Sequence, residues 1–233
     1  MSQQIQQAQL AQSQLYTSQQ QHQLEAYSRN ATLTQLVRTA DYMSRVLSGS
    51  AISFAFMGGF ALNLRGSTRE THDVDIAVGC NMLTLLQTLT PLDRVLRPAG
   101  PVSGVMRIFI NLEGTIAQNK LVEVDLILRS SLGAPDEPAT SLDTVPYNQR
   151  TYPVVNVSHA ISSKLAACFD RADLKDYADI VFLVQRFPQE IFFFRTSLNA
   201  SHRQNFVTAY IHNNQGPANA NKVRRVKHVL GVV

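Results

Sequence analysis

The sequence predicts an α/β (α+β) fold, a core in which short strands and helices alternate, followed by a helical C-terminal subdomain. Three observations predict it. Between Thr32 and Leu128, runs with a period of two alternate with runs that repeat every three to four residues. From Ser158 to His212 only the helical period recurs. The composition, 45% hydrophobic and 16% charged over 233 residues, supplies the apolar side chains for one or two domains with a real core. It also excludes a short disulfide-stapled peptide, a collagenous or wholly disordered chain and an integral membrane protein.

Residues 1–24 carry no charged side chain and hold eleven glutamines between Gln3 and Gln23. Too little apolar surface is available there to offset the entropy of ordering. Residues 1–30 are therefore expected to be a Gln-rich disordered extension, at most a marginal helix, and dispensable. Residues 31–130 are expected to form the core. Leu33, Leu36, Val37, Ala40, Met43, Val46 and Leu47 have helical spacing, and Ser48-Gly49-Ser50 stops that helix. Ala51–Met57 reads as a strand running into Gly58-Gly59, and Phe60–Leu64 as a short helix. His72–Val78 has the alternating faces of a strand, Met82–Leu89 is helical, and Val105–Leu112 and Leu121–Leu128 are strands. The polar, proline-containing residues 131–157 read as a connection. Within the helical subdomain, residues 158–212, Ser158 caps a helix to about Arg171. After a break at Ala172-Asp173 come Lys175–Val184, Ile191–Leu198 and His202–His212. Residues 213–233 are expected to be a linker and a basic tail.

The net charge of +4 hides two opposite parts. No acid follows Glu190, whereas Arg195, Arg203, Lys222, Arg224, Arg225 and Lys227 do, so residues 191–233 carry +6 and residues 1–190 carry −2. A globally basic protein is thus the wrong description; only the tail, residues 222–227 above all, is expected to bind polyanions or serve as a localisation signal. Cys80 and Cys168 have no metal-type spacing and no secretory leader before them. Both are expected to stay thiols in a soluble, intracellular, cytoplasmic protein, with the nucleus open through the basic tail.

The stretch from Met57 to Ile76 carries the chemistry. Gly58-Gly59 stands between a strand and a helix, where backbone N–H groups can approach a ligand closely and a helix start favours an anion. Asp73 and Asp75, two apart in a strand, point to the same face and set two carboxylates side by side. Such a pair repels unless a cation lies between, and hard oxygens suit Mg²⁺ or Mn²⁺. Asp125, in the apolar run Val122–Ile127, is costly unless it faces a metal or a pocket, and is the natural third ligand. Glu123 shares its face and competes with it.

This diglycine, the Asp73/Asp75 pair about fifteen residues on and the later strand Asp125 resemble the nucleotidyltransferase superfamily. Its members include DNA polymerase beta, the aminoglycoside nucleotidyltransferases and the abortive-infection type nucleotidyltransferase toxins. The resemblance spans roughly residues 51–187. It implies a nucleotidyltransferase core, a short mixed twisted sheet with metal carboxylates on its exposed face and helices on the other. It also implies a triphosphate held by Gly58 and Gly59, metal held by Asp73, Asp75 and Asp125, and Asp125 helping to activate the attacking hydroxyl. Arg69 and Thr71 match the toxin-like branch, in which Arg-x-Ser or Arg-x-Thr precedes the Asp pair. Arg65 is evenly balanced between a ligand contact and a surface charge. Lys164, Arg171 and Lys175 are spaced seven and four apart and would share a helix face directed at phosphates. By resemblance Lys164 takes a catalytic role as well, and Asp176 serves nucleotide binding. The bland alternative is a solvated face with Lys175 and Asp179 as an i,i+4 pair. Phe60 departs from the family, where a small or hydroxylated residue follows the diglycine; it either narrows the phosphate approach or packs into the core.

The activity implied is metal-dependent transfer of a nucleoside monophosphate from an NTP to a hydroxyl, with release of pyrophosphate. The acceptor is left open between an RNA or tRNA 3′ end, a small molecule and a protein hydroxyl, with no membrane partner. The alternatives are a nucleotide-binding pseudoenzyme that keeps the fold without turnover and a scaffold acting through the Gln-rich arm.

Overall fold

The computed structural model describes residues 14–112 and 120–233. The chain divides into two compact units, residues 1–155 and 156–233. Among the described residues no helix is long and apolar enough to cross a membrane. Both cysteines are free thiols.

The first unit is built on one eight-stranded mixed sheet in the order β1-β4-β5-β6-β3-β2-β8-β7. Its strands are β1 (Leu15–Tyr16), β2 (Phe54–Met57), β3 (Asp73–Val78), β4 (Val95–Pro98), β5 (Val105–Asn111), β6 (Leu121–Leu128), β7 (Leu142–Tyr147) and β8 (Arg150–Val155). The pairs β1/β4, β3/β6 and β2/β8 are parallel and the others antiparallel. Its helices are α1 (Ser18–Ser28), α2 (Leu33–Gly49), α3 (Gly58–Leu64) and α4 (Met82–Leu89).

Strand alternation divides the sheet's side chains between two faces. On one face Phe56, Val74, Ile76, Val78, Val95, Met106, Ile108, Ile110, Val122, Val124 and Leu126 join the buried stripe of α2 and the apolar residues of α3 and α4 in the main core. Helix α2 forms as its spacing predicts: Thr32 and Gln35 make a reciprocal capping box, and Leu36, Ala40, Met43 and Leu47 are buried. Phe60 packs edge-to-face against Phe56 in this core, its ring centroid 5.5 Å away, so the aromatic after the diglycine is a packing residue. The opposite face carries a smaller cluster of Tyr16, Leu24, Leu96, Phe109 and Leu121.

Four segments differ from expectation. Of residues 1–30, residues 1–13 lie outside the described residues, but residues 14–28 form β1 and α1. Thr17 and Gln20 cap α1 reciprocally, while Tyr16 and Leu24 find apolar partners on β5 and β6 that lie far off in sequence. Strand β4 falls where no element was expected. The connection at 131–157 holds the hairpin β7/β8, which extends the sheet; Pro146 and Pro153 disguise it, and the former is tolerated because β7 is an edge strand.

The second unit is helical: α5 (Val157–Arg171), α6 (Leu174–Arg186), α7 (Pro188–Phe194), α8 (Ala200–Asn213) and α9 (Ala220–Leu230). Asn156, not Ser158, caps α5, its side chain accepting from the His159 N–H. Ala172 takes a left-handed conformation and Asp173 caps α6, the break expected there. The fourth difference is α9. In place of a solvated tail it is an amphipathic helix that buries Val226, Val229 and Leu230, while Lys222, Arg224 and Arg225 are exposed.

Candidate active site

Strands β3 and β6 run parallel with Asp73 opposite Glu123 and Asp75 opposite Asp125. Because each residue shares a face with its register partner and with its second neighbour, all four carboxylates stand on the face opposite the main core. The row through Asp125 continues to Met57 on β2 and Arg107 on β5, and the row through Glu123 runs on to Phe109 on β5 and Leu96 on β4. The sheet thereby presents a two-by-two array of acids beside one arginine.

Gly58 turns the chain from β2 into α3 with φ +63°, and its Cα lies directly against the Asp75 carboxylate, so that a Cβ there would collide with it. Gly59 is backed by the Arg69 guanidinium and by Thr71, whose Oγ1 would lie 2.7 Å from an added Cβ. Thr71 donates to Asp73 Oδ1 at 2.7 Å, and Asn63 Nδ2 donates to the Ser67 and Arg69 carbonyls, fixing the intervening loop. The diglycine, Arg69, Thr71 and the Asp pair are thus brought together as one cluster. Arg65 belongs elsewhere: its buried guanidinium donates to Asp143 Oδ2 and the Val155 carbonyl, both at 2.7 Å, and ties α3 to the β7/β8 hairpin.

Arg107 was not singled out in the sequence, yet it organises the other end of the array. Its Nε and Nη2 donate in a fork to the two Asp125 oxygens at 2.9 Å, and its Nη1 donates to Glu25 of α1 at 2.7 Å. Glu123 Oε1 also lies 2.9 Å from Nε. Burial pushes the Glu123 carboxyl up to about 7, with Asp125, Asp73 and Glu25 adding to the rise and Arg107 opposing it. The hydrogen bonds to Asp125 hold Arg107 firmly protonated, while Gln21 and Arg107 hold the Glu25 carboxyl below the usual carboxylate range. Beside Asp125 and Arg107 opens a cavity of about 390 Å³, walled by Tyr16, Ser18 and Gln21 on one side and by the Pro98–Val105 segment on the other. The signal for Arg107 was the same as for Asp125, a lone charge in an apolar strand. For Glu25 there was none.

Four hard oxygen side chains with one arginine among them fit a divalent cation in donor type and charge. Among the described residues, however, no group of three His, Cys, Asp or Glu side chains stands preassembled around a metal position. Arg107 engages both Asp125 oxygens, and Thr71 occupies one oxygen of Asp73.

The second unit holds the other expected residues. Lys164 Nζ lies 3.0 Å from Asp176 Oδ1 and 2.8 Å from Asp179 Oδ2, and Arg171 Nη2 lies 2.7 Å from Asp176 Oδ2. Burial would lower the Lys164 ammonium, but Asp179 and Asp176 together outweigh it and the net shift is upward. Lys175 does not share this face. The left-handed turn at Ala172 places it at the exposed start of α6, and Lys164 rather than Lys175 partners Asp179.

Comparison with known proteins follows the same lines. The family model described as "Nucleotidyl transferase AbiEii toxin, Type IV TA system" matches residues 41–222. No curated protein matches the sequence. Among solved structures, the chain is similar to an antigenic nucleotidyltransferase-like protein from Paracoccidioides brasiliensis, with 16% identity and a TM-score of 0.58 over 84% of this chain and 94% of that one. A Thermotoga maritima nucleotidyltransferase matches at 14% identity and TM-score 0.42, over 61% of this chain and 92% of its own. A lincomycin-bound lincosamide antibiotic adenylyltransferase matches at 15% and 0.45, over 66% and 97%.

Proposed function

The chain belongs to the nucleotidyl transferase AbiEii toxin family, and from that premise and the carboxylate array we propose that it transfers a nucleoside monophosphate from an NTP to a hydroxyl acceptor and releases pyrophosphate. The observation that carries this reading is the register of β3 on β6, which sets Asp75 beside Asp125 while Gly58 backs Asp75.

Asp73, Asp75 and Asp125 would hold Mg²⁺ or Mn²⁺, with Glu123 beside them. Held there, such an ion would supply electrostatic stabilisation of the charge that develops on the phosphates. The protein's own tasks are then positional. The Gly58-Gly59 turn receives the triphosphate with Arg69 beside it, and Thr71 orients Asp73. Lys164, Arg171 and Asp176 serve nucleotide binding, and Lys164 also offsets charge in the transition state. Asp125 takes the proton from the acceptor hydroxyl as its oxygen attacks the α-phosphorus, the bond to the bridging oxygen breaks and pyrophosphate leaves.

The cavity beside Asp125 is of the size that admits a small molecule or a single nucleoside-sized end. An RNA or tRNA 3′ end, a small molecule and a protein hydroxyl therefore stand as acceptors, and the exposed cations of α9 suit a polyanion. Retention of all the carboxylates together with Lys164 favours turnover over a pseudoenzyme. The test is incubation of the full chain with each labelled NTP and Mg²⁺ against total RNA, protein and small molecules, alongside Asp73→Ala. Label transfer abolished by the substitution is the expected result. Transfer undiminished in Asp73→Ala, or NTP binding without transfer to any acceptor, would overturn the reading.

A further inference from the structure

The segment that composition marks as dispensable is tied to the carboxylate array at several points. Tyr16 donates its hydroxyl to the Arg107 carbonyl at 2.7 Å, Ser28 donates to Glu123 Oε2 at 3.3 Å, and Leu24 packs in the apolar cluster of the same sheet face. Glu25 takes the one arm of the Arg107 guanidinium that Asp125 and Glu123 leave over. We propose that Arg107 is the resident counterion of the carboxylate array, that a divalent ion enters by displacing its guanidinium from Asp125, and that Glu25 of α1 retains the displaced guanidinium.

The geometry favours such an exchange. The fork takes one lone pair on each Asp125 oxygen and sets a positive charge against the carboxylate, so an ion binding there competes with the guanidinium for both. Releasing this half-buried arginine from its partners would be costly, because a partly desolvated charge would be left unpaired. Glu25 removes that cost: it already holds Nη1 at 2.7 Å, and with Glu123 it gives the guanidinium two carboxylates when Asp125 turns to the ion. Glu25 and Arg107 are thus positioning residues, and α1 is part of the active site and not an appendage to it.

The proposal rests on the metal-dependent reading above, and its test separates the two. Mn²⁺ affinity is measured by electron paramagnetic resonance, without nucleotide, for the full chain and for Arg107→Gln, Glu25→Gln, the double variant and Asp73→Asn. Arg107→Gln removes the competitor and should tighten Mn²⁺ about tenfold, as expected for removing a unit charge a few ångströms from the ion. Arg107→Lys keeps the charge without the fork and should tighten it less, which covers the case in which the glutamine variant does not fold. Glu25→Gln should weaken Mn²⁺ severalfold in the wild-type background and much less beside Arg107→Gln, because Glu25 acts through the arginine. A purely through-space effect of Glu25 would be the same in both backgrounds. Equal Glu25 effects, or no tightening in either Arg107 variant, overturn the proposal while Mn²⁺ binding sensitive to Asp73→Asn upholds the metal reading. No Mn²⁺ binding in any variant sinks both.

Discussion

Replacing Gly58 by alanine puts a methyl group where the chain turns from β2 into α3. At φ +63° the residue is left-handed, a conformation that costs alanine about 1–2 kcal/mol. The added Cβ would also stand 2.7 Å from Asp75 Cγ and closer still to Oδ2, so the carboxylate must move. Gly66 provides the matched control, with φ +99° and nothing within 4 Å of an added Cβ. In a protein of this size each kcal/mol shifts Tm by about 2–4 °C, so both alanine variants should lose roughly 2–8 °C. Function should separate them. A carboxylate displaced by about 1 Å from the reacting groups costs on the order of 100-fold in rate, so labelled-NTP transfer should fall by about that factor in Gly58→Ala and barely change in Gly66→Ala. Mn²⁺ affinity should follow the same order. Equal transfer by the two variants, at equal losses of Tm, would refute the claim that Gly58 exists to seat Asp75.

Lys164→Met leaves Asp176 and Asp179 buried with Arg171 as the remaining cation of that cluster, and should cost about 3–5 kcal/mol in denaturant unfolding, with Lys164→Arg milder; a loss below about 1 kcal/mol would mean that the two acids do not depend on the lysine. Glu123 binds its proton more tightly folded than unfolded. Between the ordinary glutamate value and about 7 the native state therefore holds the extra proton, and stability of the metal-free protein should fall as pH rises through that window, a slope that Glu123→Gln flattens. A pH–stability curve unchanged by the substitution would contradict the burial of that carboxyl. In α9, Leu230→Ala should destabilise the helical unit by about 2–4 kcal/mol, whereas glutamine at Lys222, Arg224 and Arg225 should leave Tm nearly unchanged while weakening heparin binding and its salt dependence.

What could be read from the sequence was what neighbouring residues decide. Asp73 and Asp75 share a face because they are two apart in one strand, and Gly58-Gly59 marks its turn by composition alone. The α2 stripe and the break at Ala172-Asp173 are equally local. What could not be read depends on distant partners. Tyr16 and Leu24 gain their apolar contacts from Phe109 and Leu121, about a hundred residues away, so a glutamine-rich segment orders against expectation. The Arg107–Asp125 fork exists only once β5 pairs with β6. Pro146 argued against a strand because nothing in the sequence says that β7 will be an edge, and four basic residues concealed the Val226, Val229, Leu230 spacing of α9. The proposed alignment of Lys175 with Lys164 failed on one residue, since a left-handed Ala172 rotates everything after it.

The pairing of β3 with β6 joins segments separated by more than forty residues, the kind of parallel contact that chains form slowly. Val122, Val124 and Leu126 alternate there with Glu123 and Asp125, so a slip of β6 by a single position would drive both acids into the apolar core and push the aliphatic residues out. Each odd-numbered slip is thus penalised by the desolvation of two charges, far more than the loss of a few hydrogen bonds would cost. The acids that would hold the ion also proofread the strand pairing. Neutralising them all should yield a protein that is inert and also slower and less faithful in reaching its native alignment.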